Sequence, residues 1–534
     1  MKRFAALAAL PLLLLACSKA PEPAATAPKA APVHKTVIDW VKPVDANIDA
    51  IFAQAKAANK PVFLYWGAVW CPPCNQIKAT VFNRQDFIDR SGFFVPVYLD
   101  GDTQGAQKLA ARFKVRGYPT MILFKPDGTE LTRLPGEVDS NQYMEVLSLG
   151  LGAHSTVKES LAMALGQGPA GATTKMSADA WRMLAYYSWD TDEAQLLPKA
   201  ELAVTLDRLA RSCPSEYAQP AARLALKAIA AGAQSKAGIT DKTTALARLQ
   251  QTLSDPVLAR QNADMLVYYG GDIVPAITAA ASPERTQLLA NWNKALDALN
   301  ADASLSRADR LSAVQAKVTL AKLGQSKDGQ APLPAELIAQ AREAAGVADK
   351  STTNTYERQA VIPSAADLLT QVGLLDESDT LLKAELPKAV SPYYHMLGLA
   401  QNAKQRGDKA GSLKWAEQAY ADSTGPATRL QWGVGYVGKV IDLTPEDSAR
   451  IEKAAARVIG ELQAVPEAFY ERNRRGLEKM GKRLVDWGQQ HRHPATVKRL
   501  SAQLDTVCAK LSGDAQALQA CAAVFKPSAA APKT

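Results

Sequence analysis

The sequence predicts a mixed α/β domain followed by a large all-α domain, and three observations carry that prediction. Strand-like and helix-like stretches alternate between residues 36 and 152. From 155 to 525 the composition turns to Ala, Leu, Gln and Lys at helical spacing, without strand-like runs. Inside that second stretch a 34-residue register recurs, pairing Gly373 with Gly407, Ser378 with Ser412, Leu381 with Trp415, Leu382 with Ala416 and Pro392 with Pro426. A chain of 534 residues has room for two or more such domains.

The first domain opens with Ile48, Ile51, Phe52 and Ala55 on one helical face. The unbroken apolar run 61–66 (PVFLYW) suits a buried strand. FFVPVYLD (93–100) reads as a second strand, and Pro96 inside it calls for a sheet edge or a local break. A short helix follows over Gln107 to Phe113. TMILFKPDGTELTRLPG (120–136) is two strands joined by a Pro-Asp-Gly turn, and a last amphipathic helix carries Tyr143, Val146 and Leu147. The order α, β, α, β, α, β, β, α implies a sheet with helices on both faces.

The second domain, 155–525, reads as stacked helical hairpins. Ser282 as N-cap with Pro283 after it starts a helix that places Leu288, Trp292, Leu296 and Leu299 on one face. Ser306 with Asp309, and Thr444-Pro445-Glu446-Asp447, are similar starts. Stacked pairs of this kind share a continuous core. They either bind peptides or proteins in a groove or simply pack. Residues 526–534 read as a disordered tail.

The formal charge is +9, but basic and acidic residues are interspersed without a block of one sign. That excludes a nucleic-acid face and favours a solvated, mixed-charge surface. At the N-terminus, Lys2 and Arg3 precede an apolar run from Phe4 to Leu15. The run is too short to span a bilayer and has the shape of a secretion signal, 1–16. Its end, Leu14-Leu15-Ala16-Cys17, resembles the lipobox of bacterial lipoproteins. The resemblance implies cleavage before Cys17, acylation of that cysteine and a lipid anchor in the membrane. Ser18 stands where an aspartate would retain such a protein at the inner membrane, which implies an outer-membrane anchor facing the periplasm. The Ala/Pro-rich segment that completes 17–35 reads as an extended tether.

The chemistry concentrates in YWGAVWCPPCNQIK (65–78), where two of the six cysteines lie three apart. A zinc site, a structural disulfide or a working redox pair can each begin this way. Zinc needs about four ligands. Cys508 and Cys521 are too far apart to complete such a set, and His491 and His493 sit in a polar, basic segment, so no metal is expected. Cys71 would start a helix, where unpaired N–H groups favour the thiolate. Pro72 suits the first turn, and Cys74 can reach back from one turn on. A sulfur that meets substrates is expected to be exposed. Cys508 and Cys521 flank a Ser-Gly-Asp turn and are expected to pair, leaving Cys213 over.

WCPPC, a helix, GYPT (117–120), a hairpin and a final helix together resemble the thioredoxin family across 36–152. They are most similar to the thioredoxin-like domains of periplasmic thiol:disulfide interchange proteins. ATVFNRQDFIDRSGFFVPVYLD (79–100) carries the same likeness. The resemblance implies a thioredoxin fold and thiol:disulfide oxidoreductase activity, with Cys71 as nucleophile, Cys74 as resolving thiol and no cofactor. It implies that Pro119 is cis and faces the pair, and that Trp70 and Tyr118 contact substrate, although Tyr118 could equally pack on Trp70. The implied partners are protein thiols or disulfides and a membrane or periplasmic redox partner. Tyr65 stands where many thioredoxins bury an acid, so a phenol, a water or slow exchange would take the acid's place. The recurrent register resembles the tetratricopeptide repeat, with GDKAGSLKWAEQAYADSTGP (407–426) as its second helix and closing proline. The alternative function is a protein-binding scaffold that carries the first domain as a non-catalytic module.

Overall fold

The computed structural model describes residues 36–43, 47–103, 105–168, 175–193, 195–235, 238–323, 332–465, 467–511 and 513–526. The expected signal segment 1–16, Cys17 and the linker to residue 35 lie outside the described residues, as does the 526–534 tail beyond its first residue.

The first domain is a four-stranded mixed sheet between helices. Its elements are α1 (Ile48–Ala57), β1 (Val62–Gly67), α2 (Pro72–Ile77), α3 (Gln85–Arg90), β2 (Val95–Asp100), α4 (Ala106–Arg112), β3 (Thr120–Phe124), β4 (Glu130–Leu134) and α5 (Ser140–Gly152). The strand order is β2-β1-β3-β4, with β1 parallel to β2 and antiparallel to β3. Alternation along β1 fills both layers. Val62, Leu64 and Trp66 pack toward α1 and α4 with Ile51, Leu109 and Phe113. Phe63 and Tyr65 face the other way, toward Cys74, Phe82 and Phe87. The run is uniformly apolar because both faces are covered.

Pro96 lies on the edge strand, as its missing donor requires. Its carbonyl points outward, where the Val41 N–H donates to it at 2.8 Å. The β3–β4 turn closes with Lys125 N–H on the Thr129 carbonyl at 2.8 Å, and Gly128 holds φ +87° there. α3 is a helix beyond those the sequence pattern predicts, lying in the passage from α2 to β2. The six residues of α3 are too few to show a helical period.

The remainder is helical from Val157–Ala164 to Ala515–Ala523. Ser282 caps Pro283–Ala301, and Ser306 with Asp309 forms a capping box on Arg307–Lys322. Thr444 is a different case. It ends the preceding helix, and Asp447 caps Ser448–Glu461 through the Arg450 N–H. Here the aspartate outcompetes the threonine because the helix before it runs on to Leu443. The 34-residue register has a structural counterpart. Gly373 and Gly407 both hold positive φ, Pro392 and Pro426 both open helices, and Ser378 and Ser412 donate to Ala366 and Ala400 carbonyls at 2.9 and 2.7 Å. Among the described residues, no helix is long and apolar enough to cross a membrane.

The helical region packs directly on the first domain. One apolar cluster runs from Phe63, Tyr65 and Leu123 through Cys74 to Trp432, Tyr436 and Leu477. Polar contacts follow the same boundary. Arg260 pairs with Asp139 at 2.8 Å, and Gln76 of α2 donates to Asp309 at 3.2 Å. The Asp102 carboxylate accepts from the Thr428 N–H at 2.7 Å and from the Thr428 hydroxyl. The Glu467 carboxylate accepts from the N–H groups of Gly105, of Gln107 at 2.7 Å and of Lys108 at 3.1 Å, where α4 begins. Gly425 permits a close approach, since a Cβ there would lie 2.5 Å from Asp102 Cγ.

Candidate functional site

Cys71 is the N-cap of α2, with Pro72 at the first helical position. Its Sγ accepts from the Cys74 N–H at 3.2 Å, and the two sulfurs are at disulfide distance with Cα atoms 5.2 Å apart. The loop before it is pinned by Asn75, which is fully buried. Its Nδ2 donates to the Val69 carbonyl at 2.8 Å and to the Cys71 carbonyl at 3.1 Å. Asn75 was not singled out in the sequence. The available signal was an amide at i+4 from Cys71 on an otherwise apolar helix face.

The Tyr118–Pro119 peptide bond is cis. The Tyr118 hydroxyl accepts from Gln107 Nε2 at 2.8 Å, and a Cβ on Gly101 would fall 2.0 Å from that oxygen, so position 101 must be glycine. The Tyr118 ring meets Trp70 edge-on at 6.4 Å. Packing on Trp70, one of the two alternatives for Tyr118, is therefore present.

Trp70 is held by the helical region. Its ring stacks on Tyr394 at 6.4 Å and meets Trp432 edge-on at 5.0 Å. The Arg472 guanidinium lies 5.2 Å from the Trp70 ring centre and 5.3 Å from that of Tyr118. The expectation of an exposed nucleophile is corrected: Cys71 is 2 % exposed and Cys74 0 %. The cause is the cover from helices Thr355–Gln371, Pro392–Gln405, Pro426–Leu443 and Glu471–Gln490, which periodicity alone does not place.

Tyr65 is buried, stacked on Tyr98 at 5.2 Å, and its hydroxyl has no hydrogen-bond partner among the described residues. Burial, then Asp100, pushes its ionisation far above the usual phenol range, so it is not a base at neutral pH. Burial also pushes Tyr118 up to about 12 and lowers the Lys78 ammonium. The half-buried Asp102 carboxyl is raised above its usual range, chiefly by desolvation. Elsewhere, Cys508 and Cys521 are at disulfide distance, and Cys213 is a buried free thiol pushed up to about 11 by burial.

A family profile described as a thioredoxin-like domain matches residues 48–150. A thioredoxin of Mycobacterium bovis is 35% identical over 89 residues, covering 16% of this chain and 72% of that protein. The chain belongs to the thioredoxin-like family. The thiol:disulfide interchange protein DsbD of Pseudomonas fluorescens is 31% identical over 104 residues, 19% of this chain and 18% of DsbD. DsbD 2 of Pseudomonas aeruginosa is 30% identical over 118 residues, 21% of this chain and 20% of that protein. The chain thus spans about a fifth of the length of these relatives. Among solved structures, the DsbH oxidoreductase is 18% identical and covers 23% of this chain and 90% of its own, with a TM-score of 0.20.

Proposed function

We propose that this protein is a cell-envelope thiol:disulfide oxidoreductase that exchanges electrons with protein substrates through Cys71 and Cys74. The observation that carries this reading is the CPPC pair at disulfide distance on the first turn of α2, in a domain of the thioredoxin-like family. In the reducing direction, the Cys71 thiolate attacks one sulfur of a substrate disulfide and the other substrate sulfur leaves as a thiolate. The Cys74 thiolate then attacks Cys71 Sγ in the mixed disulfide. That step releases the second substrate thiolate and closes Cys71–Cys74, so two electrons have passed to the substrate. Oxidation of a substrate dithiol is the same sequence reversed. With the helical cover drawn back, Trp70, Tyr118 and cis-Pro119 would form the rim on which an extended substrate segment lies. The DsbD resemblance and the lipobox-like end at Cys17 support an envelope location and a lipid anchor, with Ser18 favouring the outer membrane.

An insulin-reduction assay tests the reading: wild type is active and Cys71→Ser is not. Cys74→Ala accumulates mixed disulfides through Cys71, visible as slow bands on non-reducing gels. Equal inactivity of wild type and Cys71→Ser would sink it. Cys17→Ser tests the anchor by release from the membrane fraction after an alkaline wash, and undiminished association refutes it.

The cover over Cys71 favours a second reading, a scaffold in which the helical region binds a protein and the thioredoxin-like domain is a structural module. An inactive wild type whose helical region still captures a partner would support it.

A further inference from the structure

The helical region brings one cation, Arg472, into contact with both rings that frame the redox pair. Trp70 precedes Cys71 in the chain and Tyr118 precedes the cis-proline, and the guanidinium sits about equally far from the two. Two donors in this cluster, Arg472 Nε and Trp70 Nε1, are buried without an acceptor among the described residues. A buried donor left unpaired is costly, and guanidinium groups in particular select anions. In the oxidised pair no anion is present; reduction creates one at Cys71.

The other titratable groups around this end are of both signs. Asp100 ends β2, and Asp102 accepts from Thr428. Glu137 follows Gly136, on which a Cβ would lie 3.5 Å from Pro119 Cγ. Asp309 is bonded by Gln76 of α2. Asp367, on the helix Thr355–Gln371, and Arg472 both act on Tyr394, with opposite sign. Asp100 and Asp102 likewise oppose Arg472 at Tyr118. Lys78, just past α2, lies over the Tyr98 ring within the field of Asp100. His395, beside Tyr394, lies in the fields of Glu385 and Arg358. Arg475, on the same helix as Arg472, donates to the Arg116 carbonyl. Tyr65, Tyr118 and Tyr394 are phenols raised by burial.

We propose that Arg472 is a positioning residue of the redox centre, a positive charge supplied by the helical region and held on Trp70 and Tyr118, that stabilises the Cys71 thiolate once the pair is reduced. This rests on the oxidoreductase reading for its use, though not for its electrostatics. An opposite charge in a desolvated site lowers a thiol pKa, by roughly one unit when it acts from a neighbouring side chain rather than in direct contact. It therefore raises the thiolate fraction, which is the attacking species, and favours the reduced pair over the disulfide. The redox centre is then a two-domain assembly.

The test uses the full chain and follows Cys71 ionisation by thiolate absorbance at about 240 nm and by pH-dependent iodoacetamide labelling mapped to the Cys71 peptide. The inflection reads the charge, whereas the amplitude of labelling reads how far the cover opens. Arg472→Met keeps the length and packing on the rings, and its inflection is expected to rise by about one unit. Its equilibrium with glutathione is expected to move toward the disulfide by up to about tenfold. Arg472→Lys retains most of the wild-type inflection. Arg483→Met, on the same helix but bonded to Gly438 and Asp442, leaves it unchanged. An inflection that stays put in Arg472→Met overturns the proposal. If that variant does not fold, Arg472→Gln reads the same loss of charge. An inflection that moves with Arg472 in a protein inactive on insulin would fail the oxidoreductase reading alone. Activity with an unmoved inflection would fail this proposal alone.

Discussion

Replacing Glu467 by alanine removes the carboxylate that ties the helical region to the start of α4. Three backbone N–H groups lose their acceptor, those of Gly105, Gln107 and Lys108. A buried hydrogen bond to a charged group contributes about 1.5–3 kcal/mol net, and less where the freed donor can turn to water. Lys108 is solvent-exposed, so its N–H regains a water and part of the loss is offset. Asp102, bonded to Thr428, still holds the neighbouring loop. The net weakening of docking comes to about 2 kcal/mol, which is roughly a 30-fold rise in the undocked population. Labelling of reduced protein reads this directly, because Cys71 is 2 % exposed when docked. Iodoacetamide should modify Cys71 roughly 30-fold faster in Glu467→Ala, and by a smaller factor in Glu467→Gln, which keeps one acceptor oxygen. Glu452→Ala, which breaks only an exposed pair with Arg499, should label at the wild-type rate. An unchanged rate in Glu467→Ala, in a protein whose melting temperature has fallen, would show that reagents reach Cys71 without undocking.

Tyr65→Phe deletes a buried hydroxyl that lacks a partner among the described residues, so stability in denaturant melts should hold or rise by up to about 1 kcal/mol with insulin reduction unchanged; a more than tenfold loss of turnover would show that the phenol moves protons. Asp264→Asn strands Arg223, whose side chain is 0 % exposed against 2 % for its partner, and should cost about 3–5 kcal/mol in the same melts. Burial alone would raise the Asp264 carboxyl, but Arg223 outweighs it and holds the group below its usual range. Its contribution is therefore complete above pH about 4 and lost as pH falls through the lower folded value, so acid titration should destabilise the wild type there more than the Asn variant. Cys508→Ser opens a bridge across 13 residues and should cost about 3 kcal/mol, seen as faster hydrogen exchange in Ala515–Ala523.

What was legible in the sequence was local. The apolar run of β1, the turn at Gly128 and the cap at Ser282 each declare themselves within a few residues, because propensity and burial period act at that range. The redox pair and the cis-proline were legible through their motifs. The cover was not. Periodicity shows that Trp432 is buried, not that it is buried against Trp70. Asp102 meets Thr428 across 326 residues, and Gln107 meets Glu467 across 360. Thr444 misled for a related reason: a cap motif is ambiguous when the previous helix has not yet ended.

Gly425, which brings the Pro426–Leu443 helix onto Asp102, also orders events in time. A chain made from its N-terminus completes β1 to α5 long before residue 425 exists, and domains fold largely as they emerge. During that interval the young protein carries Cys71 without its cover, which comes from helices Thr355–Gln371 to Glu471–Gln490 made afterwards. The oxidation state enclosed at closure is the one acquired in that interval, so partners of the newborn chain and partners of the finished protein meet two different surfaces.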